Sequence, residues 1–285
     1  MDGAEAGRKT SLIVLNYNGG QRMLAWAQHL RAQNQHGLSI IMVDNASDDG
    51  IMDVMQSQWP DMVFLRNRRN LGFAGGINVG LRYALAHGAD WCWILNYDTD
   101  VPAHVLPTLL RQGETNSRIG AVGARIYPFA PEENTPITYG GGHVLWLQGR
   151  AREFHAPVCA SQLDFITGAC MLLRSTALRE IGLFDERFFM YWEDVDLCLR
   201  LKNKGWTLSV AQDASLWHEG NATLGRGHPK LIEYHNRSAL MFFKKHSPCP
   251  WWSNGVGSSG RFIKSIFRRR WDHCAAIARS WREQA

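Results

Sequence analysis

The chain has 285 residues and a net charge of +5; 45% of its residues are hydrophobic and 20% are charged. This composition is typical of a folded globular protein and excludes a disordered one, and no apolar run reaches the roughly 20 residues that cross a bilayer. The acidic start of the sequence lacks the features of a signal peptide, so we expect a cytoplasmic protein. The six cysteines are scattered without a C-x-x-C pair, and we expect buried, reduced thiols.

The first half of the chain alternates apolar runs with segments of helical periodicity. The apolar runs are 11–17, 38–44, 62–67 and 90–96. The helical segments are 22–33, 48–59 and 73–88, and Ser47 would cap the second of them. This alternation predicts an α/β fold in which helices cover both faces of a parallel sheet, and ligands bind such sheets beyond the carboxyl ends of the strands.

Polar residues and glycine collect at those predicted strand ends. They are Asn16 and Tyr17 after the first strand, Asp44 and Asn45 after the second, Asn70 and Gly72 after the third, and Asn96 and Asp98 after the fourth. Because parallel strands end at one edge of the sheet, these residues predict a single shared crevice.

The second half of the chain is less regular. A strand is predicted at 120–128, and a long Gly- and Pro-rich segment follows at 129–162, with a hairpin near 138–150. The remaining patterns predict a strand at 164–175, a short helix that ends at Gly182, a helix at 192–206, a strand at 206–220 and a closing helix at 229–247.

The stretch "NYDTD" (96–100) places Asn96, Asp98 and Asp100 at alternate positions after a buried strand. Carboxylates spaced in this way can hold Mg²⁺ or Mn²⁺, which prefer oxygen ligands and keep positions free for substrate phosphate. The alternative is an Asp turn before a helix at Pro102, with Asp100 as the cap. An aspartyl-phosphate enzyme does not fit, since Asn96 stands where its nucleophile would be.

A second acidic cluster, "YWEDVD" (191–196), contains Glu193, Asp194 and Asp196. Aromatic neighbours exclude water and raise the pKa of a carboxyl group, which suits a general base. The alternative is compensation of the helix dipole at the start of the helix, and Asp196 is the member most suited to a structural role. His218 ends an apolar strand; such a histidine is usually structural, but a neutral imidazole is also a common metal ligand.

The glycine-rich stretch 70–80, "NLGFAGGINVG", precedes a helix and would let the backbone approach a pyrophosphate. It lacks the G-x-G-x-x-G spacing and follows the third strand, so it does not indicate a dinucleotide-binding dehydrogenase.

The end of the chain, 261–285, contains seven basic and two acidic residues and so accounts for the whole net charge. Apolar residues with helical spacing are Ile263, Phe267, Trp271, Cys274, Ala278 and Trp281, and Trp251 and Trp252 lie upstream. This pattern predicts a basic amphipathic helix that contacts an anionic membrane surface. The alternative is a helix that packs on the catalytic domain or on a second copy of the chain as a homodimer. Nucleic-acid binding is not expected, because the rest of the chain is neutral.

Taken together, these motifs resemble the family 2 glycosyltransferases of the GT-A fold, and most closely the bacterial branch that adds rhamnose or related sugars to cell-envelope glycans. The matching segments, in the family's order, are "IVLNYNGG" (13–20), "MVDNASDDG" (42–50), "NLGFAGGINVG" (70–80), "ILNYDTD" (94–100), "FITGACMLLR" (165–174), residues 181–206 and "LWHEG" (216–220). They cover about residues 10–245.

The resemblance implies a GT-A catalytic domain at 1–250, with a mostly parallel Rossmann-like sheet, a nucleotide half at about 10–125 and an acceptor half at about 126–246, followed by the basic tail at 251–285. It implies that Leu15, Asn16 and Tyr17 cradle the nucleobase, that Asp44 bonds its imide, and that Gly72 to Asn78 lie against the nucleoside and phosphates. Thr167 and Gly168 would line the donor sugar, with Asp194 as the base and Glu193 beside it. The D-x-D position falls on Asn96 to Asp98, so Asp98 would bind the metal, His218 would complete the site, and Asp100 is a further candidate ligand.

The implied reaction is inverting transfer of a sugar, from dTDP-rhamnose or a UDP-sugar, to a hydroxyl of a cell-envelope glycan or a lipid-linked saccharide at the inner face of the membrane. A sugar-phosphate nucleotidyltransferase is a rival, but it needs a basic loop after the first strand, where this chain has only Arg22. A non-catalytic GT-A scaffold is a second rival, against which the presence of Asp98, Asp194 and His218 argues.

Overall fold

The computed structural model describes residues 9–33, 37–129, 139–220 and 228–282. The strands are β1 (Thr10–Asn16), β2 (Leu38–Asp44), β3 (Val63–Arg66), β4 (Trp91–Leu95), β5 (Thr99–Asp100), β6 (Ile119–Pro128), β7 (Gly141–Leu145), β8 (Arg150–Glu153), β9 (Phe165–Ile166), β10 (Cys170–Arg174) and β11 (Thr207–His218). The helices are α1 (Gly20–Ala32), α2 (Ile51–Gln58), α3 (Gly72–Ala86), α4 (Val105–Glu114), α5 (Ser175–Ile181), α6 (Glu193–Asn203), α7 (Pro229–His246), α8 (Pro250–Phe267) and α9 (Trp271–Arg282).

Eight strands form one sheet in the order β3-β2-β1-β4-β10-β6-β11-β5. The pairs β3–β2, β2–β1, β1–β4 and β6–β11 are parallel, whereas β10 runs antiparallel to both β4 and β6. Asn16 and Asp44 are in register at the ends of β1 and β2, so the polar residues there share one edge as expected. The predicted α/β fold with a mostly parallel central sheet is confirmed.

Both faces of the sheet are buried, which explains the continuous apolar runs of its strands. Leu12 and Val14 pack in the layer that contains α1 and α2, while Ile13, between them, packs in the layer that contains α3 and α6. The side-chain alternation of a strand therefore feeds two separate hydrophobic layers.

A small second sheet, in the order β8-β7-β9, lies beside the main one. It contains the predicted hairpin, with Gly142 in register with Glu153 on one side and with Phe165 on the other. The single strand predicted at 164–175 is two strands. The chain leaves the small sheet after β9, passes through Thr167, and enters the main sheet as β10. The apolar residues on either side of Thr167 and Gly168 fit a single strand, so the pattern did not predict the break.

Two predicted caps are wrong. Helix α2 begins at Ile51 after Gly50, which has a φ of 70°, and the Ser47 hydroxyl instead accepts hydrogen bonds from the Asn16 side chain and the Asn18 backbone. Helix α4 begins at Val105 after His104, so Asp100 does not cap it. In both cases a tertiary contact uses the side chain that a local pattern assigned to a helix.

The single predicted tail helix is two helices, because the chain turns between α8 and α9, where Arg269 has a φ of 54°. The Asn236 side chain on α7 holds both: it donates to the Ser280 hydroxyl (2.6 Å) and accepts from the Arg261 guanidinium (2.7 Å). Cys274 is buried in this packing, whereas Trp271 is exposed. No helix in the described residues is both long and apolar enough to cross a membrane.

The six cysteines are all free, as expected. Four of them are buried, but Cys159 and Cys249 are exposed, so the prediction of buried thiols fails at these two positions.

Candidate active site

One end of the site is formed where β5 pairs antiparallel with the last residues of β11, which places Thr99 opposite His218. The Nε2 atom of His218 lies 3.0 Å from Oδ1 of Asp98 and 3.4 Å from Nδ2 of Asn96. The Asp98 side chain is largely buried and that of His218 is partly buried. Three residues that the sequence proposed for the metal end are thus brought together.

A divalent cation fits between Asp98 and His218. Two ligand atoms 3.0 Å apart, each about 2.1 Å from one ion, subtend an angle of about 90° at it, as neighbouring ligands do in octahedral Mg²⁺. Across the described part of the chain, no group of three or more His, Cys, Asp or Glu side chains is placed to hold a metal. A site with few protein ligands suits an ion that keeps positions for water and substrate phosphates.

Asp100 does not join this group. Its Oδ1 atom lies 3.3 Å from Nε2 of His29 on α1, and about half of the side chain is exposed. The expectation that Asp100 adds a ligand beside Asp98 and His218 is therefore not supported by the arrangement of the side chains.

The other end of the site is the first turn of α6, which contains Glu193 and Asp194. The two residues before the helix, Tyr191 and Trp192, both have φ values near 70°. Bulky residues rarely adopt this left-handed conformation, and such strain persists where surrounding packing enforces it. The Trp192 ring is held against Phe242 and Phe243 of α7, with ring centroids 4.7 and 5.2 Å apart.

Asp194 is fixed by two backbone donors. Its Oδ2 accepts a hydrogen bond from the Gly168 N–H (2.9 Å), and its Oδ1 accepts one from the Val195 N–H (2.8 Å). Burial raises the pKa of Asp194, and these hydrogen bonds oppose the rise. A carboxylate that is held in place and made more basic has the properties of a general base.

Glu193 is almost fully buried, and its Oε2 atom has no hydrogen-bond partner. Burial, followed by the charge of Asp194, raises the pKa of Glu193 well above its usual value of 4.5. Burial thus favours the protonated form of Glu193, beside Asp194, whose pKa is also raised.

This assignment predicts a pH-dependent stability change for Glu193→Gln. Because the folded-state pKa of Glu193 is raised, the wild type loses stability as the pH rises from 4.5 to that pKa, by up to about 1.4 kcal/mol per pH unit. Gln cannot ionise, so the unfolding free energy of the variant relative to wild type should increase from pH 5 to pH 8. Urea denaturation at each pH measures it, and a difference that is constant or shrinks with pH would contradict the assignment.

Asp196, the third acid of this turn, has the structural role that the sequence suggested. It is fully buried and accepts from the Arg200 guanidinium (2.8 Å), the Lys245 ammonium (2.6 Å) and His246 (2.7 Å). Burial alone would raise its pKa, but the hydrogen bonds from His246 and Lys245 outweigh burial and lower it. Asp196 thus joins α6 to α7.

The ends of β1 and β2 are organised by buried side chains. The Asn16 amide accepts from the Gly19 N–H (3.1 Å) and donates to the Ser47 hydroxyl (3.0 Å), and Asp44 accepts from the Ser47 N–H (3.2 Å). Tyr17 is exposed at this edge. Asn16 is thus committed to shaping the loop that was expected to face the nucleobase.

Helix α3 lies close to this edge because of its glycines. A Cβ at Gly76 would lie 2.4 Å from a methyl carbon of Leu15, so only glycine permits this approach. Gly72 has a φ of 74°, and a Cβ there would lie 2.2 Å from the Phe189 carbonyl oxygen. That carbonyl also accepts a hydrogen bond from the Phe73 N–H, so the glycine-rich segment contacts the loop that leads to Asp194.

Asn78 has a structural position and not the ligand-binding one that was predicted. Its side chain is buried, donates to the Phe184 carbonyl (2.8 Å) and to Glu186 (3.0 Å), and accepts from the Phe184 N–H (3.0 Å). With both its amino group and its carbonyl engaged, the amide is not available to a nucleotide.

Sequence reasoning missed Glu153. The residue is exposed on β8, and its pKa is raised first by desolvation of the carboxyl group and then by the charge of Asp194. Gly142 of β7 pairs with Glu153 on one side and with Phe165 on the other, and the chain after Phe165 leads to Gly168, whose N–H binds Asp194. The sequence around Glu153 contains no recognisable catalytic or binding motif. The pairing of β8 with β7 determines its position.

Comparison with known proteins identifies the family. The model of the glycosyl transferase family 2 matches residues 11–182. The chain belongs to this family. The N-acetylglucosaminyl-diphospho-decaprenol L-rhamnosyltransferase of Mycobacterium tuberculosis is 26% identical over 266 residues, covering 85% of each chain. The galactofuranosyltransferase GlfT1 of the same species is 31% identical over 196 residues, covering 66% of this chain and 63% of that one.

Solved structures with the same fold are also glycosyltransferases. A Pyrobaculum calidifontis mannosyltransferase in complex with GDP-Man and Mn²⁺ superimposes with a TM-score of 0.63 at 15% identity, over 96% of this chain and 74% of that one. GalNAc-T7 with UDP, GalNAc and Mn²⁺ gives a TM-score of 0.67 at 14% identity, over 94% and 55%. The protein is a glycosyltransferase with the GT-A fold, as the sequence motifs predicted.

Proposed function

We propose that this family 2 enzyme is an inverting, metal-dependent transferase that moves a sugar from dTDP-rhamnose or a UDP-sugar to a hydroxyl of a lipid-linked saccharide. The observation that carries the proposal is the contact of Asp98 with His218 (3.0 Å) in a chain of this family. A second carboxylate, Asp194, is held by the N–H groups of Gly168 and Val195 and supplies a candidate base. The similarity to the N-acetylglucosaminyl-diphospho-decaprenol L-rhamnosyltransferase supports rhamnose as the sugar and a lipid-linked saccharide as the acceptor.

Asp98 and His218 would hold Mg²⁺ or Mn²⁺, which when bound supplies charge neutralisation for a departing nucleoside diphosphate. Asp194 takes the proton of the acceptor hydroxyl while its two backbone donors keep the carboxylate oriented. The acceptor oxygen then bonds to the anomeric carbon as the bond from that carbon to the diphosphate oxygen breaks. Attack from the opposite side inverts the centre, and no enzyme nucleophile is needed.

The remaining residues of the cleft serve to bind and orient. Glu193 lies beside Asp194 in the first turn of α6, and Glu153 is a candidate acceptor of hydrogen bonds from the saccharide. Tyr17, Asp44 and Gly72 lie at the strand edge that would receive the nucleotide.

A nucleotidyltransferase is not favoured. Arg22, the basic residue that follows β1 in the sequence, lies in the first turn of α1 and forms a half-exposed ion pair with Glu219 (2.9 Å).

A thermal-shift series with nucleoside diphosphates and Mn²⁺ tests the proposal. A ligand at 100 times its Kd stabilises the folded state by about 2.7 kcal/mol. We expect UDP or dTDP with Mn²⁺ to raise the melting temperature more than either component alone. If no nucleoside diphosphate shifts the melting temperature in the presence of Mn²⁺ or Mg²⁺, the proposed donor class is wrong.

Two variants of the same stretch separate the proposed ligand from its neighbour. Asp98→Ala should abolish the Mn²⁺-dependent part of nucleoside diphosphate binding, because it removes one of two protein ligands. Asp100→Ala should leave that binding within about twofold, since Asp100 contacts His29. Calorimetric titration with and without Mn²⁺ measures both, and equal losses in the two variants would refute the assignment.

A further inference from the structure

Six strongly exposed apolar side chains lie on α8, at the start of α9 and in the loop before β8. Ordered by exposure they are Trp251 (86%), Phe267 (82%), Leu147 (74%), Trp271 (67%), Trp252 (58%) and Ile263 (51%). They are the most exposed large apolar residues in the described part of the chain, and we call them the aromatic face. A concentration of this kind marks an interaction site.

The aromatic face is a coherent stripe. Trp252, Ile263 and Phe267 recur at helical spacing along α8 over about 22 Å, and Trp271 follows the turn. Leu147 joins them from the loop between β7 and β8, since the Trp252 indole N–H donates to its carbonyl (3.2 Å).

The opposite side of α8 is fixed to the protein, so the stripe cannot turn inward. A Cβ at Gly257 would lie 2.3 Å from the Gly149 carbonyl oxygen. Ser253 and Ser258 are buried, and Ser253 donates to the Trp146 carbonyl (2.8 Å). The packing of the opposite side of α8 therefore fixes the aromatic face toward solvent.

Positive charge lies along the same surface. Lys264, Arg268 and Arg269 are exposed beside or within the stripe, and Arg270 is paired with Asp272 (2.8 Å). The segment 261–285 provides the entire net charge of the chain. Aromatic side chains next to basic ones match the interface of an anionic bilayer, where indole rings sit at headgroup depth and arginines meet lipid phosphates.

We propose that the aromatic face docks on an anionic lipid bilayer and holds the catalytic cleft at the membrane surface. This surface differs from the stripe predicted from the sequence, because Cys274 is buried against the protein. Leu147 and Glu153 belong to one hairpin and are at most about 20 Å apart. The neighbouring strand β9 leads into Gly168, whose N–H binds Asp194, so this hairpin connects the aromatic face to the catalytic cleft. The role in acceptor delivery rests on the proposed function; the docking itself does not.

Flotation of the full chain with vesicles tests the docking. We expect binding to vesicles with 30% phosphatidylglycerol, at least about tenfold weaker binding to pure phosphatidylcholine, and weakening from 0.1 to 0.5 M NaCl. The charge variant Arg268→Glu/Arg269→Glu should lower the partition coefficient at least about tenfold. The matched control, Arg68→Glu/Arg69→Glu, makes the same change of charge at another exposed, adjacent pair of arginines. Its partition coefficient should stay within about twofold of the value expected from the change in net charge alone.

An apolar variant, Phe267→Ser/Trp271→Ser, should also lower binding at least about tenfold, whereas Phe129→Ser, another exposed aromatic position, should not. Unchanged far-UV circular dichroism and melting temperature establish that the variants fold. No flotation of the wild type, or equal losses in variants and controls, would overturn the proposal. The proposal would also be overturned if the wild type binds no vesicles and light scattering shows a dimer that the apolar variant does not form.

Transfer assays keep the two proposals apart. The apolar variant should transfer sugar to a water-soluble acceptor at the wild-type rate and lose activity on an acceptor embedded in vesicles. Equal loss on both acceptors would overturn the role of the aromatic face in delivery. If the wild type transfers sugar to neither acceptor, the proposed function fails, while the flotation result still decides whether the face binds lipid.

Discussion

Replacing Asp194 with asparagine should lower kcat for glycosyl transfer by about 10²–10⁴-fold, the usual contribution of a general base. Asparagine preserves the size of the side chain and can still accept from the Gly168 or the Val195 N–H, but it cannot take the proton of the acceptor hydroxyl. Binding of nucleoside diphosphate with Mn²⁺ should persist, because Asp98 and His218 are unchanged. Steady-state kinetics and calorimetry on the same preparation measure the two effects.

A matched exchange at an exposed aspartate, Asp213→Asn, controls for the loss of one negative charge. It should leave kcat within about twofold. Undiminished turnover in Asp194→Asn would show that another group removes the proton, and a parallel loss of nucleotide binding would point to a collapse of the cleft.

Asp196→Ala should destabilise the fold by about 3–5 kcal/mol. Its carboxylate is the shared acceptor for Arg200, Lys245 and His246. Its removal leaves the Arg200 guanidinium without this carboxylate between α6 and α7, while Lys245 keeps its ion pair with Asp185. Because its pKa is lowered in the folded state, the stabilisation is present above pH 3.8 and is lost as the pH falls through the lowered pKa. Urea denaturation at pH 7 measures the difference in unfolding free energy.

The comparison variant is Asp53→Ala, which removes an exposed ion pair with Arg66 and should cost less than about 1 kcal/mol. A loss below 1 kcal/mol for Asp196→Ala would mean that the three basic side chains find other partners or water. In that case the strained turn at Trp192 would be held by the aromatic packing of α7 alone.

The sequence predicted the elements that local patterns determine. Strand β2 spans the predicted residues 38–44, and its second half, 41–44, is buried, as its apolar run indicated. Gly182 ends α5 with a φ of 81°, as its position after the helical pattern indicated. Asp98 and His218, which the resemblance assigned to one metal site, lie 3.0 Å apart because β5 pairs antiparallel with the end of β11.

Features that depend on contacts between distant parts of the chain could not be predicted from the sequence. The helical stripe of the tail continues in phase across the turn at Arg269, so spacing alone could not reveal two helices. Asp100 stands two residues after Asp98, a spacing that is compatible with a second metal ligand. Its side chain nevertheless contacts His29 of α1. Glu153 is positioned by the pairing of β8 with β7, which in turn pairs with β9, and no local pattern predicts these pairings.

NMR of the reaction products is the most direct test of the proposed mechanism. Purified protein would be incubated with Mn²⁺, a UDP- or dTDP-sugar and a saccharide with a short prenyl diphosphate. We expect release of nucleoside diphosphate together with a new glycosidic bond whose anomeric configuration is opposite to that of the donor, and EDTA should stop both. A product that retains the donor configuration, or transfer at an undiminished rate in EDTA, would contradict inverting, metal-dependent transfer.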